Sequence, residues 1–472
     1  MSEELCWKSA AELADLYRRR ETSPVEVVEA VLDRLEKVNP EINAFVTITA
    51  DEARNSARLA EKRLASGEEL PELFGVPITV KDLTDTAGVR TTYGCVAYSD
   101  YIPDEDALAW ARLKAAGTIL IGKTTTCEFG LLGVTESKLT GSTGTPWDPT
   151  RTSGGSSGGA ASATAAGIAP LAWGSDGGGS IRVPASLCGV VGVKPSIGRI
   201  PHAENTDTDS TEGPIARTVL DAALLLDATV GQHPGDRISV PHSGESFAAA
   251  ARQDGDLSGL RIAAVHDLGQ QVLDPQVRSV FDTALEDMRS AGATVECAEI
   301  SLPDTQEFFA HFNGPEYASY VDEMRAAGLD IWPLVADFAE RGRSVSGQQA
   351  SRAARQGKTD IYNAFTGVLD GFDFMVTPTT PTPAFPHAGD YGPPGHFEGQ
   401  DVPALGVFLH SMTEPPSHAG LPAISVLGGF TPGGLPVGLQ FIGRMYEDAS
   451  VISCAARYER ATAWNLRRPL TS

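Results

Sequence analysis

Two glycine-rich segments carry the side chains best suited to chemistry. In Gly174-Ser175-Asp176-Gly177-Gly178-Gly179-Ser180 a serine follows three glycines. With no side chains in the way, the N–H groups of Gly177, Gly178, Gly179 and Ser180 can turn toward one point, the geometry of an oxyanion nest. Cleaving an amide by covalent catalysis needs a nucleophile, a base to take its proton, and donors for the developing oxyanion. The second segment, Thr152-Ser153-Gly154-Gly155-Ser156-Ser157-Gly158-Gly159, adds hydroxyls, and Pro77-Ile78-Thr79-Val80 leads directly into Lys81. A lysine acts as a base only when neutral, and burial at the end of an apolar strand disfavours its charged form. One glycine-rich turn with an incidental serine would be an ordinary structural feature. Two such turns with an upstream lysine point to a site.

Two familiar patterns mislead. Gly117 to Thr124 fits a phosphate-binding loop, yet its variable positions, Thr-Ile-Leu-Ile, form an apolar strand that cannot wrap phosphates, so Lys123 reads as the end of that strand. Gly154, Ser156 and Gly158 fit a nucleophile elbow, but the polar run Trp147 to Ser153 precedes them where that elbow requires an apolar strand. A Ser-His-Asp triad is therefore a weak reading, formally open because the chain has nine histidines. The six cysteines are scattered, without metal-knuckle or disulfide spacing; Cys95 and Cys127 read as buried thiols rather than nucleophiles.

The elements that must position these residues read as α/β. Residues 8 to 66 read as helical, with a Thr22-Ser23-Pro24 start signal and apolar residues at three and four spacings. Strand-like runs at Val76 to Val80 and Thr118 to Ile121 flank a helical stretch near Asp106 to Ala116. Ala160 to Leu171 reads as a helix of small residues and Cys188 to Val193 as a short strand. A second α/β segment begins with a strand at Arg261 to Val265. Asp274-Pro275 then starts a helix that Gly292 ends before another strand. Thr377 to Pro436, rich in proline and glycine, reads as long pocket-shaping loops. Acidic residues outnumber basic ones, 61 to 37, and the net charge of -24 opposes nucleic acid and anionic lipid as partners. With no leader-like start and no long apolar run, a cytoplasmic location without membrane association is expected.

Taken together, Pro77 to Asp82, Thr152 to Gly159 and Gly174 to Ala185 resemble the amidase signature family. Trp147 to Arg151, Cys188 to Pro195 and Gly434 to Gln440 extend the resemblance over nearly the whole chain. The departures are Thr145, where Asn is frequent, and Ser153, where Pro is frequent. The resemblance implies a single α/β/α domain over 1–472 around a large mixed β-sheet. Within it, 8–66 is a helical lead-in, 67–232 the catalytic core, and 258–472 a second α/β segment whose loops at 377–436 shape the pocket. It assigns Ser180 as nucleophile, Ser156 as proton bridge after a cis peptide, and Lys81 as base, with no metal or organic cofactor. Asp176 and Arg182 become a supporting ion pair, Ser157 a supporting hydrogen-bond donor, and Gly130 and Leu131 the lining of the acyl side of the pocket.

The activity so implied is hydrolysis of amides through an acyl-enzyme, with esters and carbamates open to the same attack. The partner is a small-molecule amide, and a homodimer is left open. From Thr359 to Gly443 there is no Lys or Arg, while Asp360, Asp370, Asp373, Asp390, Glu398, Asp401 and Glu414 are acidic. This stretch lacks a carboxylate clamp, which predicts a neutral, largely apolar substrate. Two alternatives share the fold. Against the glutaminase component of a tRNA-dependent amidotransferase stand Val183 and Ile197-Gly198-Arg199-Ile200-Pro201, which depart from that component's Gln and Tyr-Gly-Arg-Val-Ser forms. Against a non-catalytic binding protein stands the retention of all three triad residue types.

Overall fold

The computed structural model describes residues 2–202, 210–268, 272–329, 331, 333–387, 394–397, 400–402 and 405–469. Its first helices are fixed by their caps. Ser9 starts α1 (Ala10–Arg19) and Ser23 starts α2 (Pro24–Ile42), each through a capping box with the glutamate three residues on. Along α2, Val27, Val28, Val31, Leu35, Val38 and Ile42 recur at helical spacing and are all buried. Each such side chain contributes roughly 1.5–3 kcal/mol relative to exposure.

The 8–66 region is not helical throughout. Asn43 adopts a left-handed conformation that stops α2, and Phe45–Ile48 becomes a strand, β1, before α3 (Ala50–Ala65). Aromatic and β-branched residues suit that short edge position, and β1 pairs antiparallel with residues 122–124.

Among the described residues the main sheet has eleven strands. After β1 come β2 (Pro77–Lys81), β3 (Ile119–Thr124), β4 (Leu171–Asp176), β5 (Val191–Lys194) and β6 (Thr211–Ala216). Then follow β7 (Arg261–Ala264), β8 (Thr294–Cys297), β9 (Phe374–Pro378), β10 (Ala423–Phe430) and β11 (Pro436–Ile442). Their spatial order is β1-β3-β2-β4-β6-β5-β10-β11-β9-β7-β8. The β3-β2-β4 and β9-β7-β8 neighbours are parallel and the others antiparallel. This is the α/β fold with a large mixed sheet that the sequence implies.

The topology creates a crevice. From β2 the chain crosses through the helix α4 (Leu108–Ala115) to β3 on one side, whereas β4 lies on the other side of β2. Parallel strands whose connections diverge leave a gap beyond their carboxyl ends, where ligands bind in open α/β sheets. Lys81 ends β2 and Asp176 ends β4, so both reach that gap.

Two buried helices pack beside it, α5 (Gly158–Ala165), built of small residues, and α6 (Arg182–Cys188). α5 begins earlier and stops sooner than the expected span of 160 to 171, because the chain turns at Ala166–Gly167 and re-enters the sheet as β4. Glycine at its start permits the approach: a Cβ on Gly159 would lie 2.4 Å from Thr125 Oγ1.

Farther along, α7 (Pro275–Ser290) connects β7 to β8 with Asp274 as its cap. α8 (Thr305–Ala326) and α9 (Pro333–Arg343) then cover an apolar cluster at the crevice. The stretch from 377 to 436 is more ordered than a set of loops. It contains the end of β9, short helices at Leu405–Phe408 and Glu414–His418, and the whole of β10. Its prolines and glycines sit mostly between these elements, and the apolar run Ala423–Leu427 pairs on both edges. Among the described residues no helix is long and apolar enough to cross a membrane.

Candidate active site

Lys81, carried to the crevice by the apolar β2, is fully buried. Its Nζ donates to Ser156 Oγ at 2.7 Å and to Ser175 Oγ at 2.9 Å. Burial lowers its pKa from 10.5 to about 8, and the nearby Cys127, Asp176 and Glu212 only partly oppose that. About a tenth of the amine is then neutral at pH 7 and about half near pH 8, far more than for an ordinary lysine, as a general base requires.

Ser156 stands in the turn before α5, and the peptide joining it to Gly155 is cis. The next residue, Ser157, ties this turn to the second one: its N–H donates to Ser180 O at 3.0 Å, and its Oγ donates to Ser175 O at 3.2 Å. Ser180 is 6% exposed, and its hydroxyl makes no hydrogen bond to a described residue, Ser156 included. The structure thus joins Lys81 directly to Ser156, and joins Ser180 to that pair through backbone.

The glycine turn is held by an anion. Asp176 Oδ1 accepts the Gly179 N–H at 2.7 Å, and Oδ2 accepts the Ile181 N–H at 3.2 Å. Of the four donors anticipated for the nest, Gly179 is therefore already spent on Asp176. The N–H groups of Gly177, Gly178 and Ser180 carry no bond to described residues. Gly179 has φ +133°, and a Cβ there would lie 1.9 Å from Thr413 Oγ1, so this position admits only glycine.

Arg182 faces Asp176 in a fully buried pair, with Nε 2.9 Å from Oδ2 and Nη2 2.8 Å from Oδ1. Burial alone would raise Asp176, but the Arg182 charge and its hydrogen bonds outweigh that and hold the carboxyl at about 2. Arg182 also donates to Gln440 Oε1 at 2.6 Å and Ser417 Oγ at 2.7 Å. Its guanidinium is committed to protein and faces no open space.

Gly130 borders Ser156, since a Cβ on it would lie 3.2 Å from Ser156 Oγ. Leu131 is half-buried and packs on a cluster that includes Leu132, Val134, Val183 and residues of α8 and α9. The acids of the 359–443 stretch are dispersed. Asp360, Asp370 and Asp401 are exposed, and Asp373 accepts the Arg261 N–H. Asp390 and Glu398 lie outside the described residues. Among the described acids of this stretch Glu414 approaches the turn, its Cγ 3.8 Å from a Cβ built on Gly178.

Cys95 and Cys127 are both buried, and burial pushes their thiols up to about 12 and about 11. Among the described residues no three His, Cys, Asp or Glu side chains form a metal-binding group. Lys123, next to last in β3, lies inside the protein with its amine on Thr84 O, Thr86 Oγ1 and Thr91 Oγ1. The Gly154–Gly158 pattern does follow a strand, Asp148–Thr152, but a polar one outside the main sheet.

Sequence reasoning missed Ser175, Glu212, Thr413 and Ser417. Ser175 and Gln440 lie inside motifs quoted for the resemblance, which signalled their region but not their contacts.

A large mixed sheet with helices packed on it is the fold of the amidase signature enzymes. The chain belongs to this family: the profile described as Amidase matches residues 26–452. A glutamyl-tRNA(Gln) amidotransferase subunit from Roseiflexus sp. (strain RS-1) is 37% identical, with 96% of each chain covered. An acylamidase from Rhodococcus erythropolis is 36% identical, covering 99% of this chain and 98% of that one. The crystal structure of a bacterial aryl acylamidase superposes with a TM-score of 0.90 at 30% identity, over 98% of this chain and 99% of that one.

Proposed function

We propose that this hydrolase cleaves the carbon–nitrogen bond of neutral, largely apolar amides through a Ser180 acyl-enzyme, and accepts esters or carbamates by the same route. The observation that carries the reading is the buried Lys81–Ser156 bond of 2.7 Å beside the Ser180 turn. In the proposed cycle neutral Lys81 takes the Ser156 proton as Ser156 takes that of Ser180, whose Oγ attacks the carbonyl carbon. The oxyanion forms against the N–H groups of Gly177, Gly178 and Ser180. Collapse breaks the C–N bond, the relay returns the proton to the departing amine, and water then hydrolyses the ester by the same proton path. Asp176 and Arg182 hold the turn, and Ser157 links it to Ser156. We also propose a single domain over 1–472, supported by one sheet that draws strands from Phe45 to Ile442.

The proposed substrate class rests on charge and packing. Arg182 is fully buried with four bonds from its guanidinium to Asp176, Gln440 and Ser417, Glu414 is the charged side chain beside Gly178, and the Gly130–Val134 loop leads into an apolar cluster. A free carboxylate brought there would meet Glu414, and the 359–443 stretch has no Lys or Arg to pair with it. The second reading, the glutaminase component of a tRNA-dependent amidotransferase, is favoured by the 37% identical relative, which is named as part of such an enzyme. Comparing kcat/KM for a neutral aryl amide, its carboxylated analogue and glutamine separates the two. The neutral amide is expected to lead by at least ~10-fold, the scale of one unfavourable charge contact of about 1.4 kcal/mol. Equal or better use of glutamine or the carboxylated compound overturns the substrate assignment. Intact-mass detection of an acyl or phosphonyl adduct on Ser180→Ala protein overturns the nucleophile.

A further inference from the structure

Glu212, on β6, is buried next to the site and has no part in the cycle above. It is the cross-strand partner of Ser175, the residue whose hydroxyl receives a hydrogen bond from Lys81. Directly opposed residues on antiparallel strands project to the same face with Cβ atoms about 5 Å apart, so the carboxylate lies beside Ser175. One oxygen, Oε1, accepts from Thr84 Oγ1 at 2.8 Å. The other, Oε2, is buried and has no hydrogen-bond partner among the described residues. A buried, half-satisfied carboxylate is costly unless a neighbouring cation compensates it.

The cations and acids around it define what it does. Lys81 approaches from β2 and Lys123 from β3, and Glu212 favours the charged form of both. The other groups facing Lys81 are Cys127 and Asp176. Burial keeps the Cys127 thiol protonated, and Asp176 is neutralised by Arg182, with Lys194 also acting on it. On the Lys123 side stand Asp82, at 4.0 Å, and the more distant Asp85 and Asp106. Glu212 is thus the one acid among these that acts on Lys81 without a guanidinium of its own.

We propose that Glu212 is a positioning residue of the reaction, the counter-charge that keeps the Lys81 amine basic enough to hold a proton during attack and return it to the leaving amine. The proposal rests on Lys81 as base. Removing the negative charge makes the ammonium less favourable, so Lys81 becomes neutral at lower pH and is a weaker base once neutral.

The test is the pH profile of kcat/KM for an aryl amide in wild type, Glu212→Gln, Glu212→Asp and Lys81→Met. In Glu212→Gln, which preserves the size and the Thr84 bond, the acid limb is expected to move down by roughly half to one pH unit, with a lower plateau. Glu212→Asp, which keeps the charge, is expected to hold the limb at its wild-type place. If Glu212→Gln yields no folded protein, Glu212→Leu fills the space without a charge and carries the same expectation. An acid limb unmoved in the uncharged variants, whatever the activity lost, overturns the proposal. The base reading fails separately, if the residual activity of Lys81→Met keeps the wild-type acid limb.

Discussion

Replacing Lys81 by methionine is expected to stabilise the protein near pH 7 while leaving only weak residual activity. The thioether has nearly the length of the amine stem and no charge to bury. Lys81 is fully buried, and its folded-state pKa of about 8 lies below the ordinary 10.5. The folded chain therefore binds fewer protons than the unfolded chain between those two values, and wild-type stability rises with pH across that window. Below about pH 8 the ammonium is present in both states and its burial is a cost. At about 1.4 kcal/mol per pH unit, the displacement from 10.5 to about 8 amounts to roughly 3 kcal/mol. Methionine forfeits the hydrogen bonds to Ser156 and Ser175, at about 1 kcal/mol each. The net gain is about 1 kcal/mol near pH 7, read as a higher urea midpoint. Denaturation of both proteins at intervals from about pH 6 to 10.5 tests this. The variant's advantage should shrink above about pH 8 and reverse toward 10.5. A variant less stable than wild type near pH 7, with a gap that does not change with pH, refutes the burial argument.

Gly179→Ala should lower kcat/KM by about 100-fold or more, the effect of losing an oxyanion donor, because the new Cβ meets Thr413 Oγ1 at 1.9 Å and displaces the turn. Steady-state kinetics check this, and near-normal turnover would separate the turn from the oxyanion. Asp176→Asn should cost about 3–5 kcal/mol by leaving Arg182 buried without its counter-charge. Since Asp176 is held at about 2, below its ordinary 3.8, its contribution is present above about pH 4 and is lost as pH falls through 2. Acid titration of stability should show that component in wild type and not in the variant.

The parts of the site legible in the sequence are those fixed by local chemistry. Glycines 177–179 announce a turn, which at Gly179 no other residue can make, and Ser23-Pro24 and Asp274-Pro275 announce helix starts because their caps are local. The parts that were not legible depend on strand register or on distant chain. Glu212 meets Ser175 only because β6 pairs with β4 in that register. Ser417 reaches Arg182 from 235 positions away. The β1 strand escaped notice because four residues between two helices carry too short a period to distinguish from helix. The 377–436 stretch misled because its proline and glycine content reports the joints between elements and says nothing of the β10 strand between them.

Register also explains why one of two similar lysines is the candidate base. Lys81 and Lys123 are both fully buried, and burial lowers both to about 8, so a displaced pKa does not choose between them. The pairing of β2 with β3 sets Val80 against Lys123 and Lys81 against Thr124. Adjacent residues of a strand project to opposite faces, so the two side chains set out from opposite faces of the sheet, although the Glu212 charge acts on both amines. Lys123 meets Thr84, Thr86 and Thr91, and its donors close the loop that follows β2. Lys81 meets Ser156 and Ser175 beside the glycine turn. The irregularity in the pairing between Ile78 and Thr79 is what sets this alternation. Moving the pairing by one residue would turn Lys81 away from the serines and leave them without a base.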